Sequence, residues 1–288
     1  MEAEHKRLAG LIRCRARSHP RKRFLVAIAG IPGSGKTTTA RAVIRILNTK
    51  YGKDGNDDLT RLPSLQTADV PSISAPGAAG PAVLVAMDGF HLPRAALDQL
   101  PNREEAYLRR GAPWTFDVDR FVQFVRELRA WADADTNRST CSEPASKQKK
   151  VIYAPTFDHE AKDPVENGTC ITNDASIVII EGNYLLLDEP GWREIAGLVD
   201  FRVFVDADPE EARDRVAKRH VQAGIERNLE DAYRRVDTND YLNGILIREK
   251  LIAPDAVVRS VTEMKLAGEC VGEAYPKSDG VSCVVSKA

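Results

Sequence analysis

Eight residues near the start of the chain have the spacing of a phosphate-binding loop. Gly30 to Thr37 (GIPGSGKT) match the pattern GxxxxGK[ST], with an apolar segment before them and a helical pattern after them. Glycines let backbone N–H groups turn inward around a polyphosphate, and the start of the helix adds its positive dipole end. The motif predicts nucleotide phosphate binding by Gly30, Ile31, Pro32, Gly33, Ser34, Gly35, Lys36, Thr37 and Thr38.

Two side chains of this loop are expected to act directly on a bound triphosphate. Lys36 would place a cation at the β- and γ-phosphates and so take part in catalysis, and the Thr37 hydroxyl would be a magnesium ligand. A glycine-rich turn that binds nothing is the alternative, and the flanking strand and helix patterns argue against it. The loop therefore predicts ATP and Mg²⁺ as cofactors, but it does not identify what receives the phosphate.

Three acidic residues each follow an apolar segment of strand length. Asp88 follows AVLVAM, Glu181 follows IVII and Asp206 follows FRVFV. In an open α/β sheet, ligands bind at the carboxyl ends of the strands. One such acid could accept the proton of an attacking hydroxyl, and another could hold magnesium or its water. Each could instead merely cap the turn after its strand, and for Asp206 that interpretation is favoured.

Strand-like and helix-like segments alternate along the chain. The predicted strands are 24–29, 82–87, 177–180 and 201–205, and helical periodicity covers 37–47, 103–110, 118–132, 210–222 and part of 230–246. This alternation predicts an α/β fold of three layers, α/β/α, in which a mainly parallel sheet of about five strands has helices on both faces.

Composition shifts suggest how the chain is organised. Residues 1–23 are basic and are predicted to form an amphipathic N-terminal helix; a mitochondrial presequence is the alternative, which acidic residues at its start oppose. Residues 51–81 and 135–150 are polar and without periodicity, so we expect surface insertions in one domain spanning 24–260. Residues 261–288 are expected to be a C-terminal segment of the same domain.

The overall composition is that of a soluble globular protein. The net charge of the 288 residues is −1, and no apolar run approaches the ~20 residues of a membrane span, so neither a nucleic-acid nor a membrane partner is expected. Five cysteines without CxxC spacing suggest free thiols in a reducing compartment, and hence a cytoplasmic protein.

Four sequence blocks in a fixed order resemble the phosphoribulokinase, uridine kinase and pantothenate kinase superfamily of P-loop kinases. The greatest resemblance is to a fungal and bacterial kinase-like branch that includes fructose-kinase-like proteins. The blocks are GIPGSGKTTT (30–39), MDGFHLP (87–93), RRGAPWTFD (109–117) and VIIEGNYLLLD (178–188). Two looser matches are YAPTFDHEAKDPV (153–165) and residues 205–224, which resemble a helical lid; together the blocks lie within about 24–245.

The resemblance implies a role for each matching position. Asp88 would be the catalytic base, Glu181 would lie near magnesium with Thr37, and Arg215 and Arg219 would be lid cations that reach the phosphates. The implied acceptor pocket is lined by Asp88, His91, Arg110, Tyr153 and His159.

Alternatives remain open for several of these side chains. The lid arginines could lie on a solvated helix face and pair with acidic neighbours, and His91 could be a core histidine. Lys218 and His220 interrupt the arginine-rich pattern of the lid, so the sequence does not decide which lid residue reaches the phosphates. A polar cluster of Asn239, Asp240 and Asn243 has no assigned role.

Together these observations favour a small-molecule kinase. It would transfer the γ-phosphate of ATP to a hydroxyl of a sugar, a nucleoside or a pantothenate-like alcohol. The alternative is a P-loop ATPase whose hydrolysis drives a conformational change or partner binding. The sequence identifies neither the acceptor nor the oligomeric state.

Overall fold

A parallel sheet forms the centre of the computed structural model, which describes residues 1–49, 81–134 and 151–261. Its strands are β1 (Phe24–Gly30), β2 (Ala82–Ala86), β5 (Ile177–Gly182), β6 (Phe201–Ala207) and β7 (Ala256–Ser260). Their order is β2-β5-β1-β6-β7, and every neighbouring pair is parallel. A separate antiparallel hairpin consists of β3 (Ile152–Asp158) and β4 (Asp163–Ile171). The predicted α/β fold with a mainly parallel sheet is confirmed.

Helices connect the strands. In the described ranges they are α1 (Glu2–Ser18), α2 (Lys36–Asn48), α3 (Arg94–Leu97), α4 (Arg103–Leu108), α5 (Val118–Asp133), α6 (Ile195–Leu198), α7 (Pro209–Gln222), α8 (Leu229–Thr238) and α9 (Asp240–Glu249). The periodicity predicted within 230–246 is divided into two helices that meet at Asn239. None of the helices in the described part of the chain is both long enough and apolar enough to cross a membrane.

Alternate residues of β1 point into two different cores. Leu25 and Ala27 pack in a cluster with Phe121 of α5, whereas Val26 packs on the other face in a cluster with Ile12 of α1. Because all seven residues of β1 are buried, the strand is an unbroken apolar run, as a strand covered on both faces requires. This two-sided burial gives the α/β/α layering.

The hairpin and the edge strand β7 were not predicted. The resemblance implied a loop at Tyr153–His159, whereas the structure places Tyr153 to Asp158 in β3 and His159 in the turn that follows it. The hairpin packs directly on a 3₁₀ turn, Met87–Phe90, that follows β2, since an added Cβ on Gly89 would overlap the carbonyl oxygen of Pro155. The predicted insertions and C-terminal segment lie, apart from Pro81 and Val261, outside the described residues.

Candidate active site

The phosphate-binding loop joins β1 to α2 through two glycines in the left-handed region. Gly33 has φ 79° and Gly35, the N-cap of α2, has φ 85°. An added Cβ on Gly33 would also overlap the carbonyl oxygen of Ala212 in α7. The Ser34 hydroxyl is buried and has no hydrogen-bond partner in the described structure. The loop therefore needs glycine both for its backbone conformation and for its contact with α7.

Lys36, Thr37 and Glu181 meet at the end of the sheet. Parallel pairing places Glu181 of β5 opposite Ile28 of β1, and the Thr37 hydroxyl donates a hydrogen bond to Glu181 Oε2 at 3.1 Å. Burial raises the pKa of Glu181 to about 7, although the charge of Lys36 opposes this shift. Burial likewise lowers the pKa of Lys36, and the carboxylates of Glu181 and Asp88 oppose that change.

The oxygen atoms of Thr37 and Glu181 suit a hard divalent cation. Mg²⁺ is commonly held by one or two protein oxygens together with substrate phosphates, rather than by a cage of side chains. Among the residues that the structure describes, no group of three or more His, Cys, Asp or Glu side chains could hold a metal ion by itself. A hydroxyl and a buried carboxylate within hydrogen-bond distance, beside the phosphate loop, fit the shared kind of magnesium site.

Asp88 lies at the same sheet edge and opens onto a cleft. It belongs to the turn after β2, whose Ala86 pairs with Glu181, and its charge acts on both Lys36 and Glu181. The cleft has a volume of about 540 Å³. Four of the predicted acceptor residues line it, namely Asp88, His91, Arg110 and His159.

His91 is fixed in orientation and charge. Its ring lies against Phe116 and Phe157, with centroids 3.9 and 4.9 Å away, and Nδ1 is 2.8 Å from the carbonyl oxygen of Asp88. Burial lowers the pKa of His91, so the ring is neutral at neutral pH. Because a carbonyl only accepts hydrogen bonds, Nδ1 carries the proton and Nε2 is left as an acceptor.

The other predicted site residues lie in different surroundings. Arg215 donates to the Gly33 carbonyl at 3.3 Å and to the Ser260 hydroxyl at 2.9 Å. Arg219, one turn further along α7, is exposed, and its charge acts on Lys36. Thr38 is exposed in the first turn of α2. Tyr153 is 53% exposed on β3 and is not among the residues that line the cleft.

A buried polar connection links α8 and α9 to the acceptor side. Arg109 donates to Asn239 Oδ1 at 3.2 Å and to Asn243 Oδ1 at 3.4 Å, and Asn239 Nδ2 donates to the Arg110 carbonyl at 3.0 Å. Both asparagines are buried. The sequence signalled this connection only through the polar cluster at 239–243 and the paired arginines.

Asp240 is a second carboxylate in the cleft that sequence reasoning left without a role. It lies 3.8 Å from His220 Nε2, lines the cleft and acts electrostatically on Lys36. Burial raises the pKa of Asp240 and lowers that of His220. The start of α9 therefore brings an acidic side chain to the same cleft that Asp88 lines.

Comparison with known proteins points to one family. The model of the phosphoribulokinase / uridine kinase family matches residues 144–240. The chain is 31% identical over 240 residues to the uridine kinase-like protein C227.14 of Schizosaccharomyces pombe, covering 83% of this chain and 84% of that one. It is also 36% identical over 197 residues to the ATP-dependent kinase YFH7 of Lachancea thermotolerans, where it spans only 56% of the relative.

Two solved structures share the fold over most of both chains. One is described as a fructose transport system kinase from Silicibacter sp. TM1040, with a TM-score of 0.62, 26% identity, and coverage of 87% of this chain and 98% of that one. The other is YFH7 of Saccharomyces cerevisiae, described as a P-loop kinase with a circular permutation, with a TM-score of 0.68, 26% identity, and coverage of 88% and 98%.

Proposed function

Because the chain belongs to the phosphoribulokinase and uridine kinase family of P-loop kinases, we propose that it transfers the γ-phosphate of ATP to a hydroxyl of a small metabolite bound beside Asp88. One observation carries this proposal: the Asp88 carboxylate lines an open cleft of about 540 Å³ while its charge acts on Lys36 of the phosphate loop. A base that faced packed core, or lay far from that loop, could not serve both reactants.

The proposed reaction balances as a direct transfer. The acceptor oxygen forms a bond to the γ-phosphorus while its proton passes to the Asp88 carboxylate. The bond from the γ-phosphorus to its bridging oxygen breaks, and the electron pair stays on ADP. Lys36, from the loop, and Arg219, from α7, stabilise the negative charge spread over the transferring group.

Magnesium would be held by Thr37 and Glu181. When bound it would neutralise charge on the β- and γ-phosphates. Ionised Glu181 is costly to keep buried, as its raised pKa indicates, and a neighbouring cation would offset that cost.

The contacts of Arg215 bear on which arginine of α7 reaches the phosphates. Arg215 supports the phosphate loop through the Gly33 carbonyl, so we assign the lid cation to Arg219.

We also propose that residues 24–260 form the kinase domain and that 1–23 and 261–288 belong to it. For the first segment, the burial of Leu8 and Ile12 of α1 in the core supports this.

An acceptor screen tests the proposed function. The full chain is incubated with γ-labelled ATP, Mg²⁺ and a panel of neutral and anionic sugars, nucleosides and hydroxy acids. We expect label to transfer to one class of acceptor, and Asp88→Asn to reduce the rate about 100-fold or more.

Asp206→Asn is the matched control for this screen. Asp206 is also near the carboxyl end of a strand, but it pairs with Arg248 on α9, so its loss should leave transfer unchanged. If ATP is instead hydrolysed without transfer to any acceptor, and Asp88→Asn does not change the rate of hydrolysis, the protein is an ATPase.

A further inference from the structure

The cleft beside Asp88 contains a cationic subsite. We infer, on the basis of the proposed function, that the acceptor carries an anionic group, a phosphate or a carboxylate, which Arg94, Arg110 and Lys162 hold while its hydroxyl faces Asp88. A sugar phosphate or a hydroxy acid has this chemistry, whereas a neutral sugar or nucleoside does not.

Cations predominate among the charged side chains that line the cleft. Four are basic and two are acidic: Arg94, Arg110, Lys162, Arg235, Asp88 and Asp240. Both acids have cations nearby, since Asp88 acts on Lys36 and the charge of Arg219 acts on Asp240. Two of the four cations also pair with acids outside the cleft lining, Arg110 with Asp163 and Arg235 with Glu226. Arg94 and Lys162 remain for a bound molecule to neutralise.

Three of the four cations come together from separate elements. Arg94 begins α3, Arg110 follows α4, and Lys162 lies in the turn between β3 and β4. Within the described ranges, the side chains of Arg94 and Lys162 make no ion pair and no hydrogen bond. Arg235 differs, because it comes from α8 and pairs with Glu226 at 3.5 Å.

Arg110 is incompletely satisfied by the protein. Its Nη2 donates to the Leu92 carbonyl at 3.1 Å, its ion pair with Asp163 is long at 3.5 Å, and its Nε is buried without a hydrogen-bond partner. Burial lowers the pKa of Arg110, and the nearby charge of Arg94 acts in the same direction. An anion in the cleft would give this guanidinium a further acceptor beside the single short hydrogen bond that the protein supplies.

The subsite lies on the acceptor side of the cleft. Four charged side chains act most strongly on Lys36, namely Glu181, Asp88, Arg219 and Asp240. Arg94, Arg110 and Lys162 are not among them. His91 is close to both regions, because its Nδ1 lies 2.8 Å from the Asp88 carbonyl oxygen and the carbonyl of the next residue, Leu92, accepts from Arg110 at 3.1 Å. An acceptor that reached from Asp88 past His91 would place its far end at the subsite.

Equilibrium binding without ATP tests this inference independently of catalysis. Calorimetry compares ribose with ribose 5-phosphate, glycerol with glycerate, and uridine with uridine 5′-phosphate. We expect the anionic member of at least one pair to bind about 10-fold or more tightly than its neutral partner. The phosphate pairs and the carboxylate pair together decide which anion is held.

Variants of the exposed cations assign the preference to the subsite. Arg94→Gln and Lys162→Gln should each weaken binding of the preferred anion by about 10-fold and leave its neutral partner unaffected. Arg126→Gln is the matched control, since Arg126 pairs with Glu194 and does not line the cleft. The inference is overturned if no anionic member binds more tightly than its neutral partner. It is also overturned if the preference survives in the Arg94→Gln/Lys162→Gln double variant.

The two proposals fail separately. Label transfer to a neutral acceptor, with no anion preference in calorimetry, would refute the anionic subsite and keep the kinase. The converse outcome is an anion preference that depends on Arg94 and Lys162, combined with ATP hydrolysis and no transfer in the acceptor screen. It would support the subsite and refute the kinase.

Discussion

The surroundings of Glu181 in the fold change the pKa of its carboxyl group strongly. It ends a strand that is buried on both sides, it accepts a hydrogen bond from Thr37, and burial raises its pKa to about 7. The ordinary value is 4.5, so the native state binds this proton more tightly than the unfolded chain does. The free energy of unfolding must then fall as the pH rises from about 4.5 to about 7.

Glu181→Gln should remove this part of the pH dependence. Glutamine keeps an acceptor for Thr37 but carries no charge, so in EDTA at pH 8 the variant should be more stable than the wild type, by on the order of 2–3 kcal/mol. Near pH 4 the two should be equal. Urea unfolding across this pH range measures the difference.

The opposite case provides the control for this measurement. Arg126 lowers the pKa of Glu194, which is exposed, so Glu194→Gln should give no gain in stability at pH 8. Parallel pH profiles for the wild type and Glu181→Gln would contradict the assignment of the buried charge.

At the scale of elements, the β3–β4 hairpin positions the turn that carries Asp88. An added Cβ on Gly89 would overlap backbone atoms of Pro155, which cannot move away as a flexible side chain could. Gly89→Ala should therefore displace Asp88, lowering the rate of phosphate transfer about 100-fold and stability by about 1–3 kcal/mol. Affinity for ATP should stay within about 3-fold, because the phosphate loop is not touched.

Transfer assays, ATP titration and urea unfolding on the same variant check this expectation. Gly197→Ala is the matched control, since Gly197 lies in α6 with open space around its Cα. Unchanged transfer in Gly89→Ala would show that the hairpin does not position the base.

Buried strands were predictable from sequence, and the hairpin was not. All six residues of β5 are buried, and its first four, Ile177–Ile180, form an unbroken apolar run. In the hairpin, Tyr153 and Val165 are exposed, and the register shifts between Ala154 and Thr156. Its residues therefore lack the alternation by which a half-buried strand is recognised.

Only the part of the candidate site that lies at the strand ends was predictable from sequence. Lys36 and Asp88 follow two of the parallel strands, Glu181 lies near the end of a third, and such ends must meet at one edge of the sheet. Lys162 reaches the cleft on the hairpin turn, and Arg109 meets Asn239 across 130 residues of sequence. No local pattern encodes contacts of that length.

At the scale of the whole molecule, α1 is an integral layer of the fold. Leu8 and Ile12 are fully buried in the cluster that also contains Val26 of β1 and Val43 of α2. Ile12→Ala should lower the free energy of unfolding by about 2–4 kcal/mol, because it leaves a cavity between a helix and the sheet.

Urea unfolding of Ile12→Ala and of Leu108→Ala provides the comparison. Leu108 is 52% exposed, so its truncation should change stability by less than about 1 kcal/mol. Equal effects of the two substitutions would mean that α1 is attached to the domain without stabilising it.

The close approach of Gly33 to Ala212 has a mechanical consequence for the lid. The phosphate loop packs against the Ala212 carbonyl and the Val216 side chain of α7, and Arg215 donates to the Gly33 carbonyl. We therefore expect this stretch of α7 to move together with the loop. Any movement of Arg219 towards a bound triphosphate would then have to begin beyond Val216. A nucleotide that binds the loop would act on α7 directly through these contacts.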